Sequence, residues 1–231
     1  MIPIGAIIQA RMSSERLPGK TLRVVNNKPM LKYLLERLNH CENDIEIVVA
    51  TSINYSDNQI SDFCSKHNIL CYRGSLLNVA ERFNNILKTY DFKMFIRING
   101  DSPLLDQRLV DEGINIFQKG NYDIVTNVFP RTFPKGQSIE ILDAKTFMDA
   151  FKKMNEEDDL EHVTKYMYRN ECDYKIHNFE SEKMLRDIQL SVDTVEDMLK
   201  FKQIIKSMNR NHWSYDYNEI INLAMIKSEA I

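Results

Sequence analysis

From Ile4 to about residue 127, short apolar β-branched runs alternate with longer stretches whose apolar residues recur at helical spacing. That alternation restricts the chain to an α/β fold built on a mainly parallel, doubly wound sheet. Ile4 to Gln9, Ile45 to Ala50, Leu70 to Tyr72 and Met94 to Ile98 read as strands. Such continuous runs suit burial on both faces of a sheet. Pro29 opens a helix carrying Leu31, Leu34, Leu35 and Leu38, and further helices are expected over about Ser56 to His67 and Asn78 to Thr89. Another begins at Asp106 and puts Val110, Ile114 and Phe117 on one face. With 231 residues, 43% of them hydrophobic, the chain suits one domain over 1–231.

After Asn127 the pattern changes. Phe129 to Gly136 holds two prolines and a glycine, followed by a strand-like Ser138 to Leu142. A helix near Ala144 to Met154, an acidic turn at Glu156 to Asp159, a helix through His162 to Tyr168 and an extended Tyr174 to Phe179 complete the segment. Residues 128–180 therefore read as a small appended hairpin-like segment that serves a substrate or a subunit contact. Its aromatics, Phe129, Phe133, Tyr166, Tyr168, Tyr174 and Phe179, serve either recognition or a cover over the sheet edge. The core resumes with an expected strand Ile188 to Val192. Thr194 and Asp197 then stand in capping-box spacing before a helix with Met198, Phe201 and Ile205 inward, and a final helix spans about Tyr215 to Ile226.

Charge and composition exclude several classes. A net charge of -3 with a pI near 6.0 gives no basic field for nucleic acid, so phosphate binding has to be local and the partner small. No run approaches the ~20 apolar residues of a membrane span, and Met1 to Ala10 lacks a basic start before its apolar run. A cytoplasmic protein is expected. Cys41, Cys64, Cys71 and Cys172 lack metal-ligand spacing and are expected as reduced thiols in or near the core, and the five scattered histidines do not suggest zinc.

Chemistry concentrates where strands end. Arg11, Arg16 and Lys20 lie in a loop with Ser13, Ser14 and Pro18-Gly19 just beyond the first strand, at the sheet edge where open α/β folds bind ligands. Together the three cations could meet a polyphosphate. Arg73-Gly74-Ser75 and Asn99-Gly100-Asp101 end two further strands, so three of the chain's seven glycines fall in such loops, where a backbone turns sharply or approaches a ligand. Asp101 and Asp193 both follow predicted strands. Two carboxylates beside a polyphosphate suggest Mg²⁺, which takes one or two protein carboxylates plus phosphate oxygens.

In their order these segments resemble the CMP-sugar cytidylyltransferases, the family of the Kdo and sialic acid activating enzymes, and most closely its spore-coat polysaccharide branch. Arg11-Met-Ser-Ser-Glu-Arg16-Leu-Pro-Gly-Lys20 is similar to that branch's signature loop, and Arg73-Gly-Ser-Leu, Asn99-Gly-Asp101-Ser-Pro and Val192-Asp193-Thr194 follow in family order. The resemblance implies a Rossmann-like nucleotidyltransferase fold, CTP and a sugar acceptor as partners, and Mg²⁺ on Asp101 and Asp193. It implies catalytic roles for Arg11, Lys20, Asp101 and Asp193, with Ser14, Arg16, Arg73, Ser75, Asn78, Arg82 and Asn99 also at the nucleotide. Asn127, Arg131, Lys135, Glu140 and His162 would meet the acceptor, and a homodimer is implied. One departure concerns the acceptor: Gly136-Gln137-Ser138-Ile139-Glu140 stands where the branch usually has Gly-Leu-Asp-Val-Glu. Two rival readings are a nucleotide-sugar-dependent glycosyltransferase and a non-catalytic nucleotide-binding protein. Against the first, Asp101-Ser102-Pro103 lacks the second acid of an Asp-x-Asp pair.

Overall fold

The computed structural model describes residues 4–225. β1 (Ile4–Gln9) leads through a cationic loop to a two-strand ribbon, β2 (Val24–Val25) with β3 (Lys28–Pro29), and into α1 (Met30–Leu38). β4 (Glu46–Ser52), α2 (Asn58–Lys66), β5 (Leu70–Gly74), α3 (Val79–Tyr90), β6 (Met94–Asn99) and α4 (Gln107–Lys119) continue the alternation. β7 (Ile124–Thr126), β8 (Glu140–Asp143), α5 (Ala144–Phe151), α6 (Glu157–Glu161), α7 (Lys165–Arg169) and β9 (Ile176–Asn178) follow, then α8 (Val195–Ser207) and α9 (Tyr217–Met225). The seven-stranded sheet has the order β5-β4-β1-β6-β8-β7-β9. β5, β4, β1 and β6 run parallel, whereas β8 is antiparallel to both β6 and β7. β1 and β6, at its centre, carry the cationic loop and the loop of Asn99 and Asp101.

Alternate residues of each strand feed opposite layers, as a two-faced sheet requires. Ala6, Ile8, Val49, Ile96 and Ile98 pack against α1, α2 and α4, while Ile7, Val48, Ala50 and Phe95 pack against α3 and α5. Each fully buried Val, Ile or Phe among them contributes roughly 1.5–3 kcal/mol. A third cluster joins Met30 and Tyr33 of α1 to Phe201, Ile204 and Ile220 of the last two helices. Arg37, wholly buried, ties this cluster to the sheet by donating to the carbonyls of Leu105 (2.6 Å), His212 and Tyr215 (2.8 Å).

Three expectations change. The 128–180 segment is built into the sheet, because β8 inserts between β6 and β7 and β9 extends the edge. Phe133 and Phe179 are buried, meet at 5.8 Å between ring centroids and cover the sheet within one chain. Ile188 to Val192 is not a strand of the sheet. It runs beside Lys135 through a single parallel bridge at Gln189, with the Lys135 N–H donating to Ile188 (2.9 Å) and the Lys135 carbonyl accepting from Leu190 (2.8 Å). Gly136 permits this contact: its φ is +95°, and a Cβ there would fall 2.5 Å from the Ser191 nitrogen. Cys172, finally, is exposed, and Cys64 alone of the four thiols is fully buried. The final helix ends at Met225 among the described residues, and residue 226 lies outside them.

Candidate active site

At the carboxyl ends of β1 and β6 lies a cavity of about 350 Å³. Arg11, Ser14, Arg16 and Lys20 line it from the first loop, Asn99 and Asp101 from the second, Arg82 from α3, His162 from the α6–α7 turn, and Asp193 from the α8 approach. Lys20 is its centre. The Lys20 ammonium donates to Asp101 Oδ2 (3.0 Å) and Asp193 Oδ1 (2.9 Å) and is buried, so the two carboxylates it joins hold its charge in place. Arg16 adds an exposed ion pair to the same Asp193 oxygen at 3.0 Å.

Backbone contacts place these groups. Val192 N–H donates to the Asp101 carbonyl (2.8 Å), which clasps the two acidic loops together. The expected capping box is present: Asp197 Oδ2 accepts from Thr194 N–H (2.9 Å) and also from Asp193 N–H (3.0 Å), while Thr194 Oγ1 accepts from Asp197 N–H (3.2 Å). Asp193 is therefore fixed at its own backbone. On the cationic loop, Gly19 takes φ +73° and donates to Met12 (2.9 Å), and the Thr21 hydroxyl donates to the Arg11 carbonyl (3.0 Å). Buried Asp57 accepts from Met12 N–H (2.7 Å) and from the Ser52 hydroxyl, tying that loop to β4.

Arg82 is buried, donates to the Ala50 carbonyl (3.2 Å), and keeps its Nε without a partner. Burial lowers its pKa to about 10, and it remains cationic at neutral pH. Arg11 stands 3.8 Å from Glu161, an exposed pair of little energetic weight. His162 pairs only with Asp158 of its own segment, at 3.5 Å.

Other predicted residues are placed elsewhere. The Arg73 guanidinium donates to the carbonyls of Ser52 (3.0 Å) and Asn54 (3.2 Å), and Ser75 accepts from Asn78 N–H (3.0 Å) while Asn78 caps α3. None of the three lines the cavity. Asn127 is wholly buried and bridges Gln137 and Ile139 at 2.8 Å each, so its amide is spent on the β7–β8 connection. Lys135 contributes backbone contacts to the run Ile188 to Val192. Glu140 is buried between Arg97 and Tyr168, whose hydroxyl donates to it at 2.8 Å. Burial and the nearby Glu140 raise the Tyr168 pKa well above its ordinary value, which keeps that hydroxyl protonated. Arg131 donates to Ser138 (3.0 Å), and its other terminal nitrogen is buried without a partner.

Gln9, Thr21 and Val79 also line the cavity and were not singled out by sequence. Gln9 offers one signal in hindsight: it is the polar end of an apolar strand that points into a ligand edge. Chemically the site can hold an oxyanion between Arg11, Arg16, Lys20 and Arg82 and an oxygen-seeking cation at the paired aspartates.

The chain is similar to several known proteins. The spore coat polysaccharide biosynthesis protein SpsF of Bacillus subtilis is 31% identical over 207 residues, covering 86% of this chain and 84% of that one. An uncharacterized protein of Methanocaldococcus jannaschii is 34% identical over 202 residues, covering 87% and 82%. The structure of a cytidylyltransferase from Leptospira borgpetersenii superposes with a TM-score of 0.92 at 28% identity over 100% of this chain and 96% of that one. A CMP:2-keto-3-deoxy-manno-octonic acid synthetase complexed with CTP shares the fold at a TM-score of 0.68, 16% identity and coverage of 88% and 98%. The sequence model of the cytidylyltransferases matches residues 5–227, and the chain belongs to that family.

Proposed function

We propose that the chain transfers CMP from CTP to an acidic sugar, Kdo-like or nonulosonic-acid-like, and releases pyrophosphate for surface polysaccharide synthesis. The observation that carries the reading is the convergence of Lys20, Asp101 and Asp193 in a cavity that also holds Arg11 and Arg16. An acceptor oxygen attacks the α-phosphorus in line, a bond to that oxygen forms, and the bond to the leaving pyrophosphate breaks. Arg11, Arg16 and Lys20 stabilise charge on the pyrophosphate, and positioning plus electrostatics supply most of the acceleration in such transfers.

The lining charges cancel: Arg11, Arg16, Lys20 and Arg82 are matched by Glu15, Asp101, Glu161 and Asp193. A polyanion entering such a cavity calls for a further cation. Two facing carboxylates are a donor set that fits Mg²⁺ alongside phosphate oxygens, and no third acidic, His or Cys side chain completes a protein-only metal cluster among the described residues. Asp101 and Asp193 would hold the ion, which when bound neutralises phosphate charge and polarises the α-phosphate. Lys20, now between the carboxylates, has phosphate oxygens as alternative partners once substrate arrives.

For the acceptor, Arg131 is the residue with binding capacity to spare. Glu140 is already matched by Arg97, so the cationic charge of Arg131 and its unpartnered nitrogen suit a sugar carboxylate. A pyrophosphate-release screen with CTP against Kdo, nonulosonic acids and sugar phosphates tests both points. An acidic sugar is expected to support release, and Arg131→Ala is expected to raise its KM about tenfold with the KM for CTP unchanged, the loss of one charge-assisted bond. Release with sugar phosphates alone would overturn the acidic acceptor, and an unmoved KM would remove Arg131.

A homodimer with 128–180 at its interface is part of the same reading, supported by the family resemblance. Phe133 and Phe179 are buried within one chain, so half-buried Phe129, Tyr166 and Tyr174 would carry the contact. Light scattering at micromolar concentration should give twice 27.1 kDa, and a mass of one chain would overturn the dimer.

A further inference from the structure

We propose that Gln9 is a nucleotide-binding residue and that Arg97 is its positioning residue, turning the Gln9 amide so that its NH₂ group, not its oxygen, faces the cavity. The proposal rests on reading that cavity as a nucleoside triphosphate site. Its basis is a polar row across the sheet. Ile7 pairs with Arg97, Arg97 with Glu140 and Glu140 with Thr126, and Gln9 stands two residues beyond Ile7. Paired residues share a face and so do residues two apart, which places all four polar side chains on the α3 side of the sheet. Ile7, Val48, Ala50, Phe95, Ile124 and Leu142 are the apolar part of that face.

Each bond in the row constrains the next. Arg97 Nη1 pairs with one Glu140 oxygen, and the other accepts from Tyr168. Arg97 Nε is left to donate to Gln9 Oε1 at 3.2 Å. A guanidinium has donors and no acceptor, so only the oxygen end of the Gln9 amide can face it. The NH₂ end is then left over, and no acceptor in the chain takes it among the described residues. Gln9 itself lines the cavity beside Asn99, Gly100 and Asp101. The turn carrying Asp101 is pressed onto it: Gly100 N–H donates to the Gln9 carbonyl at 2.9 Å, and a Cβ on Gly100 would lie 3.0 Å from that oxygen. A donor pair lining the cavity, two residues before Arg11, suits the oxygens of a nucleotide. Arg97, its charge matched by Glu140, acts only through the orientation it imposes.

Calorimetric titration with CTP and Mg²⁺ tests this, with thermal midpoints to show that each variant is folded. Gln9→Glu replaces a donor by an anion and is expected to weaken CTP binding at least about tenfold, whereas Gln9→Ala should cost about fivefold, the loss of one hydrogen bond. The pair Arg97→Met with Glu140→Gln removes both charges of the ion pair and frees the amide to turn, so a loss similar to that of Gln9→Ala is expected. Adding Gln9→Ala to that pair should cost nothing further, because residues that act through one group are not additive. Unchanged CTP affinity in both Gln9 variants would overturn the nucleotide contact, and losses that add in the triple variant would overturn the positioning role. Should the paired variant not fold, the two Gln9 variants still decide the nucleotide contact, and Arg97→Lys, which keeps the charge but not the fork that reaches both partners, takes its place in the additivity comparison. A wild-type chain that binds no CTP would instead sink the reading of the cavity itself.

Discussion

Asp101→Asn and Asp193→Asn are each expected to lower turnover at least about a hundredfold while leaving the fold intact. A hundredfold corresponds to roughly 2.7 kcal/mol of lost transition-state stabilisation, within the several kcal/mol that a metal ion contributes to charge neutralisation. The fold should survive because Asn keeps the shape of the side chain, and because the backbone anchors of both residues are separate from their carboxylates. Val192 N–H holds the Asp101 carbonyl, and Asp197 holds the Asp193 N–H. Pyrophosphate release measured against Mg²⁺ concentration checks the claim. A variant that loses turnover and needs more Mg²⁺ supports the assignment, and near-normal turnover in Asp193→Asn would remove that residue from the site.

Arg37→Met, outside the cavity, should be strongly destabilising. The guanidinium is wholly buried and feeds three backbone carbonyls, at Leu105, His212 and Tyr215, with Asp106 at 3.7 Å. Burial lowers its pKa to about 10, and it remains charged at neutral pH. Methionine fills similar volume but leaves the carbonyls and the Asp106 carboxylate without that partner, and breaking such a buried arrangement costs about 3–5 kcal/mol. Urea denaturation should show the loss as a lower midpoint at similar slope. A loss below about 1 kcal/mol would mean that water replaces the guanidinium and that the site is less dry than its burial indicates.

Much of the sheet was legible because its strands are continuous apolar runs and its helices carry apolar residues at helical spacing. Ile124–Thr126 was not, since three residues are too few for a periodicity to register. Ile188 to Val192 has the alternation of a strand, yet its backbone hydrogen bonds go to Leu185, Lys135 and Asp101, and no sheet strand takes them among the described residues. The pairing partner of an extended run is a tertiary property. The first half of the site was legible for a related reason: the loops after β1 and β6 lie where any open parallel sheet presents ligands. The second half was not. Asn127 and Glu140 are polar residues in a suggestive place, but their bonding capacity is already used within the sheet, and composition does not show whether a polar group is free. Arg73 is similar, with its donors taken by two carbonyls. Gln9, Asp57 and Arg97 escaped notice because their contacts depend on strand register and on groups more than forty positions away.

Everything proposed for the cavity depends on which phosphorus bond breaks, and a ³¹P spectrum of the reaction with CTP, Mg²⁺ and an acidic sugar reads that directly. The expected result is the appearance of inorganic pyrophosphate together with one new phosphodiester signal from CMP joined to the sugar, absent when ATP or dTTP replaces CTP. Nucleoside diphosphate as the released product, equal reaction with another nucleotide, or bound CTP that no acceptor consumes would each contradict it.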